Sequence, residues 1–158
     1  MKTDTKWKNA LAQNKPVFSR IYHAMGDETS KRLYESLLRL QYTGDVQYLI
    51  EAVQLNGFEP DPVNYEICCQ KLQEQTEGAL ARNSKIIHAG VSDRCAVMCF
   101  HAAEQAIRRC RPRMAVCAYH KLEDLLKIPK WILDLEMGYT LQLRMYSNEY
   151  LEIVCYAY

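Results

Sequence analysis

The stretch LNGFEPDPVNYE, residues 55–66, gives the strongest indication of the fold. An apolar approach ends at Phe58, and Glu59 then precedes Pro60 and Pro62, which flank a second acidic residue. Proline fixes φ and has no N–H to donate, so two prolines separated by one residue end a strand. The stretch therefore predicts a strand that ends at Phe58, with Glu59 at its tip and a helix directly after it.

Length and charge narrow the class of protein. The chain has 158 residues, is 49% hydrophobic and 25% charged, and carries 20 basic against 19 acidic residues. This composition is that of an ordinary globular domain. A net charge of +1 gives no electrostatic reason to expect nucleic acid or an anionic membrane as a partner. The polar start MKTDTKWKN is no signal peptide, and no apolar run is long enough to span a bilayer. We expect a cytoplasmic protein.

Seven cysteines are scattered along the chain without a metal-binding spacing. There is no C-x-x-C pair, and Cys95 and Cys99 stand four residues apart without a matching second pair. Most cysteines lie in apolar runs such as MAVCAY and EIVCYAY. We expect reduced, mostly buried thiols and no metal site.

The hydrophobic pattern divides the chain into two parts. Residues 1–54 read as a helical segment, with capping residues at 27–30, leucines close to a 3.6-residue period after them, and a break at 43–45. Residues 55–158 alternate between strand-like and helix-like stretches. Such alternation favours an open α/β sheet.

Five stretches of the second part carry this α/β prediction. KIIHAGVSD, residues 85–93, reads as a strand. MAVCAYH, residues 114–120, is a continuous apolar run, as expected for a strand covered on both faces. KLEDLLKIPKWILDLE, residues 121–136, reads as a helix interrupted by Pro129. TLQLRMY and YLEIVCYAY, within residues 140–158, read as two strands of a hairpin.

An acidic residue at a strand tip has a known use in α/β sheets. Ligands bind outside the carboxyl ends of the strands, and a carboxylate there can accept hydrogen bonds from two adjacent ribose hydroxyls. Glu59 stands where that role needs a residue. The ordinary alternative is a strand end followed by an acidic helix cap, and spacing alone leaves both open.

Several separated motifs resemble the FkbM family of S-adenosylmethionine-dependent methyltransferases. They are FEPDPVNYE, KIIHAGVSD, RPRMAVCAYHKLEDLLKIPKWI, GYTLQLRMYS and EIVCYAY, in order over most of residues 57–158. DETSKRLYESLLRLQYTGDVQYL, residues 27–49, is similar to the segment that precedes the catalytic domain in some members. The resemblance implies a Rossmann-like, mostly parallel sheet with a C-terminal antiparallel hairpin. It also implies methylation of a hydroxyl oxygen on a sugar, natural product or other small molecule.

The same resemblance implies roles for particular residues. Glu59 would bind the ribose of S-adenosylmethionine, and Asp93 would lie near the adenine. His120, at the end of the strand MAVCAYH, would take the proton of a substrate hydroxyl, although a role as a cap of the next helix is equally open. Three further strand-end residues are expected on the side where the substrate binds: Tyr119, Arg144 and Tyr146.

The cofactor cradle is incomplete in the sequence. Such methyltransferases open with a strand and a glycine-rich turn, but Gly57 is the only glycine between Gly44 and Gly78, and no G-x-G pair occurs. The first and fourth strands of the expected sheet are not found. The prediction is an incomplete Rossmann-like methyltransferase domain, residues 55–158, after the helical segment 1–54.

Whether this domain is an enzyme stays open at this point. Three explanations stay open: an internally shortened member that has lost catalysis, a member whose sheet is rearranged so that the remaining strands pair directly, or a damaged or mis-assembled gene product. The alternative to a methyltransferase is a non-catalytic remnant that binds a partner protein, or a second copy of itself, through an exposed sheet edge.

Overall fold

A computed structural model of the chain describes residues 2–61, 65, 104–121, 123–150 and 152–158, without the side chains of residues 2–7 and 10. Three helices form the N-terminal part: α1 (Lys2–Ala24), α2 (Glu28–Thr43) and α3 (Val46–Leu55). Residues 104–110 are helical, and α4 spans Asp124–Asp134. The strands are β1 (Met114–Cys117), β2 (Leu141–Met145) and β3 (Ile153–Ala157). None of the described helices is long and apolar enough to span a membrane.

The predicted helix boundaries of the N-terminal part are confirmed. The side chain of Asp27 caps α2 by accepting a hydrogen bond from the Ser30 N–H at 2.8 Å. Gly44 ends α2 in the left-handed conformation, with φ 65°, and donates its N–H to Leu40 O. Asp45 then caps α3 through the Gln47 N–H at 3.0 Å. A cap, a glycine and a second cap thus separate two helices within a few residues.

The prediction that a strand ends at Phe58 is wrong. Helix α3 continues to Leu55, Gly57 turns the chain with φ 78°, and the Phe58 N–H donates back to Val53 O at 3.2 Å. Residues 58–61 are in neither helix nor strand. The apolar residues before Phe58 are spaced for a helix face, since Leu49 and Val53 are both fully buried on α3. The stretch KIIHAGVSD lies outside the described residues.

The described sheet is a three-stranded antiparallel one with the order β1-β3-β2, not a mostly parallel one. Strand β3 pairs antiparallel with both neighbours, so that β1 and β2 run in the same direction. Cys155 at its centre faces Val116 of β1 and Leu143 of β2. The predicted C-terminal hairpin, β2 with β3, is confirmed.

Two details of the second part differ from the sequence-based expectation. Strand β1 is not covered on both faces, because Ala115 and Cys117 are exposed while Met114 and Val116 are half-buried. Helix α4 is not interrupted by Pro129, which lies inside it with its side chain buried. Proline removes one helical hydrogen bond, and the burial of its ring offsets part of that loss.

The helical segment closes the outer edge of β2. An unpaired strand edge is a template for association, and proteins usually cover it. Each outward-facing position of β2 pairs with a group from residues 26–56: Leu141 O with the Gly26 N–H at 2.8 Å, the Leu143 N–H with Ser30 Oγ at 3.0 Å, and the Met145 N–H with Asn56 Oδ1 at 3.1 Å. One hydrophobic core, which includes Leu37, Leu49 and Leu143, joins these helices to the sheet.

The core contains a tyrosine hydroxyl without a hydrogen-bond partner among the described residues, that of Tyr34, which is 2% exposed. Burial raises the pKa of this phenol far above its ordinary value. A buried, unpaired hydroxyl costs free energy. We therefore expect Tyr34→Phe to leave the free energy of unfolding unchanged or to raise it by about 1 kcal/mol in urea titrations.

Tyr139→Phe is the matched control for this prediction. Tyr139 is also buried, but its hydroxyl donates to Pro112 O at 2.8 Å. Loss of this hydrogen bond is expected to lower the free energy of unfolding by about 1 kcal/mol. Equal losses in the two variants would contradict the assignment of Tyr34 as unpaired.

Candidate functional site

The ends of β1 and β2 bring three of the predicted site residues to one edge of the sheet. Tyr119 and His120 follow β1, and Tyr146 follows β2, which runs in the same direction. Two hydrogen bonds to the start of β3 hold these ends in place. The Ala118 N–H donates to Ile153 O at 2.8 Å, and the Tyr146 N–H donates to Glu152 O at 3.1 Å. The three residues therefore lie beyond the carboxyl ends of two strands that run in the same direction on either side of β3.

His120 is exposed and its ring is oriented by a neighbour. The ring centroids of Tyr119 and His120 lie 4.3 Å apart with an interplanar angle of 34°. Tyr119 in turn packs against the hydrophobic core. The His120 side chain makes no hydrogen bond to any residue that the structure describes, so its ring nitrogens are open to solvent and to a ligand.

A half-buried carboxylate, Asp124, lies near His120 at the start of α4. Asp124 accepts a hydrogen bond from the Lys121 N–H at 2.9 Å. Burial raises the pKa of the Asp124 carboxyl, a nearby Glu123 adds to this, and the Lys121 N–H and the His120 ring oppose it. The Asp124 carboxylate and the His120 ring are thus close enough to interact electrostatically.

Glu59 is exposed and lies close in sequence to an anchored residue. Asn56 accepts the Met145 N–H with its Oδ1 and donates its amide to Ala52 O at 2.8 Å. The loop that begins at Asn56 is therefore fixed at the carboxyl end of β2. The Glu59 carboxylate has no hydrogen-bond partner among the described residues. Asp93 lies outside the described residues.

The Arg144 side chain is held by hydrogen bonds within the protein and does not extend freely into solvent. Its guanidinium donates to both carboxylate oxygens of Asp27, at 3.3 and 3.1 Å, and to Ser30 Oγ at 2.7 Å. Burial alone raises the pKa of the Asp27 carboxyl, but hydrogen bonds from Ser30 and Arg144 outweigh this, and the net pKa is lowered. Arg144 thus ties β2 to the N-terminus of α2.

Tyr146 pairs with a residue that the sequence did not single out. Its hydroxyl lies 2.7 Å from the hydroxyl of Tyr156 on β3. This hydrogen bond raises the pKa of Tyr156, with a smaller contribution from burial. Tyr156 was detectable in principle, because it alternates with the buried Cys155 and Ala157 and so faces the same side of the sheet as Arg144. Asn56 and Ser30 left no comparable signal.

The chain is a mixed helix and strand protein with a small antiparallel sheet, and its fold is similar to that of a methyltransferase of known structure. The chain is similar in structure to the crystal structure of the methyltransferase FkbM from Methylobacillus flagellatus KT, with a TM-score of 0.60 and 17% sequence identity. The likeness covers 97% of this chain and 61% of that protein, so the chain spans about three-fifths of the length of its structural neighbour. The sequence matches no protein-family model and no curated protein.

Proposed function

We propose that the chain is an FkbM-type, S-adenosylmethionine-dependent methyltransferase with a Rossmann-like sheet, acting on a hydroxyl oxygen of a sugar or another small molecule. The supporting observation is the structural likeness to an FkbM methyltransferase over 97% of the chain. The clustering of Tyr119, His120 and Tyr146 at the carboxyl ends of two strands agrees with it, since ligands of α/β proteins bind there.

The residues present fit the ribose of S-adenosylmethionine better than its methionine end. Glu59 lies three residues after Asn56, which is bonded to the end of β2, and its exposed carboxylate pairs with no described residue. A carboxylate of this kind suits the two hydroxyls of a ribose. For the methionine end, the chain has no G-x-G turn. Gly57 has φ 78° and open space around it, but it is a single glycine. We propose that the domain is internally shortened, since it has no glycine-rich turn before Glu59, and that its activity is correspondingly reduced.

The chain's own residues supply the acid–base chemistry of this proposal. When bound, S-adenosylmethionine supplies a methyl group that a nucleophilic oxygen can accept. His120 takes the proton from the substrate hydroxyl at a ring nitrogen, Asp124 stabilises the resulting imidazolium, and Tyr119 holds the ring plane. Tyr146 contributes a hydroxyl that can hydrogen-bond the substrate at the same edge.

Cofactor binding is the test of this proposal, and isothermal titration calorimetry measures it. We expect S-adenosylmethionine to bind with a micromolar dissociation constant. Glu59→Ala removes hydrogen bonds to a charged group, each worth about 1.5–3 kcal/mol, and should weaken binding at least tenfold. Glu28→Ala, which removes an exposed acidic residue at the start of α2, is the matched control and should bind as the wild type does.

Two outcomes would contradict the proposal. The first is the absence of binding heat at millimolar cofactor with folded wild-type protein. The second is equal binding by Glu59→Ala and the wild type, which would remove Glu59 from the cofactor site.

A further inference from the structure

A cavity of about 290 Å³ lies between α1 and α2. Its apolar lining is formed by Leu11, Phe18 and Tyr22 of α1 and by Tyr34 and Leu38 of α2. These positions are spaced by four or seven residues along each helix, so each set lies on one helix face. Small-molecule sites have volumes of about 300–1,000 Å³ and mostly apolar linings. The cavity therefore has the size and character of a site for a small ligand.

The apolar lining combines a buried floor with exposed walls. Phe18 and Leu38 are 5% and 3% exposed, whereas Leu11 and Tyr22 are 37% and 36% exposed. The described part of the chain has four exposed large hydrophobic side chains, and these are two of them. Single exposed apolar residues are ordinary on a protein surface, but exposed apolar side chains that meet at one concavity indicate a binding site.

The exposed wall at Tyr22 is held in position by its neighbours. The ring of His23 meets the Tyr22 ring edge-on, with the centroids 6.0 Å apart and an interplanar angle of 78°. His23 is itself fixed, because its Nδ1–H donates to Ser19 O at 2.6 Å. The Nζ of Lys31 lies 5.7 Å from the centroid of the Tyr22 ring. A wall that is already ordered loses little conformational freedom when a ligand binds.

The charges around the cavity favour an anionic ligand. Glu35 and Arg39 both line it, but they form an ion pair with an N–O distance of 2.5 Å and so add no net charge. Lys15 also lines it and is exposed, and its ammonium group makes no hydrogen bond or ion pair with any residue that the structure describes. Lys31 adds a second positive charge beside the Tyr22 wall. The net charge is positive, which attracts a negatively charged group.

We propose that this cavity binds a small aromatic carboxylate, whose ring packs on the apolar floor and whose carboxylate pairs with Lys15. The rings of Phe18 and Tyr22 favour an aromatic ligand, because edge-to-face and offset ring contacts stabilise a complex beyond the area that they bury. A neutral ligand would gain nothing from the Lys15 charge. None of the residues placed in the proposed methyltransferase site lines this cavity, so the inference does not rest on the proposed function.

Titration of isotope-labelled protein with cinnamate, followed by the NMR shifts of the backbone amides, tests the proposal. Cinnamate should bind with a dissociation constant of about 1 mM or lower, and the largest shifts should lie in α1 and α2. The neutral amide, cinnamamide, should bind about three- to fivefold more weakly. Lys15→Ala should weaken cinnamate binding by the same factor of about three to five. Lys127→Ala, which removes an exposed lysine of α4, is the matched control and should bind as the wild type does.

A second variant tests the position of the ligand independently of charge. Ser19 lines the cavity and is exposed, so Ser19→Trp fills the space with an indole ring without disturbing the core, and it should abolish cinnamate binding. Three results would overturn the proposal. They are shifts that lie outside α1 and α2 or do not saturate, equal affinities for cinnamate and cinnamamide, and unchanged cinnamate binding by Lys15→Ala or Ser19→Trp.

Discussion

Replacing Leu143 by alanine is expected to lower the free energy of unfolding by about 3 kcal/mol, a large share of the roughly 5–15 kcal/mol that stabilises a domain. Leu143 is fully buried at the centre of β2 and belongs to the core that joins sheet and helices. Its backbone N–H and carbonyl both contact Ser30 of α2, which limits how far the strand can shift to fill the cavity. The cavity left by the substitution should therefore persist, and its full energetic cost should appear in the free energy of unfolding.

Gln142→Ala is the matched control for this prediction. Gln142 precedes Leu143 on the same strand but points to the side of the sheet opposite the core and is half-buried. Its replacement should change the free energy of unfolding by about 0.5 kcal/mol or less. Urea denaturation followed by circular dichroism, at low micromolar protein, measures both variants. Comparable losses at the two positions would show that the two faces of the sheet are buried alike, contrary to the structure.

The sequence predicted those parts of the fold in which helix or strand propensity, capping residues and the burial pattern all indicate the same element. Asp27, Gly44 and Asp45 bound helices because each satisfies backbone groups that the helix itself leaves open. The hairpin of β2 and β3 was predictable because its side chains alternate between buried and half-buried positions over two runs separated by a polar turn.

The stretch before the two prolines shows where the same reasoning fails. Pro60 and Pro62 correctly indicate that a regular element ends, but proline ends helices and strands alike. The residues from Leu49 to Leu55 fit a helix face as well as a short apolar strand, and a short run cannot distinguish the two. In the structure the segment is helical, with Leu49 and Val53 buried on one face and the Phe58 N–H bonded to Val53 O after the last turn.

The sequence predicted the candidate site only for residues that lie at the ends of predicted strands. Tyr119, His120 and Tyr146 lie together because β1 and β2 run in the same direction, which their pairing with β3 determines. The partner of Arg144 was not predictable, because Asp27 is 117 residues away in the sequence and no local pattern connects them. Tertiary contacts of this kind decide whether a strand-end arginine is available to a ligand.

Breaking the pair of Arg144 and Asp27 is expected to destabilise the protein, because the pair joins β2 to the start of α2. Asp27→Ala removes a helix cap, worth about 1 kcal/mol, and leaves a partly buried guanidinium without its carboxylate, at a further cost of about 1–2 kcal/mol. Asp45→Ala, which removes only the cap of α3, should cost about 1 kcal/mol. A double-mutant cycle with Arg144→Ala isolates the coupling between the two side chains, expected at about 1–2 kcal/mol.

The same pair gives stability a dependence on pH. The pKa of the Asp27 carboxyl is lowered in the folded state, so its contribution is fully present above the unfolded value of about 3.9. It is lost as the pH falls through the lowered folded value. The difference in unfolding free energy between the wild type and Asp27→Asn should therefore shrink between about pH 5 and pH 2. If Arg144 were instead unpaired and available to a substrate, its side chain would not stabilise the unliganded fold. Arg144→Ala would then leave the free energy of unfolding unchanged at every pH, and the double-mutant cycle would show no coupling with Asp27.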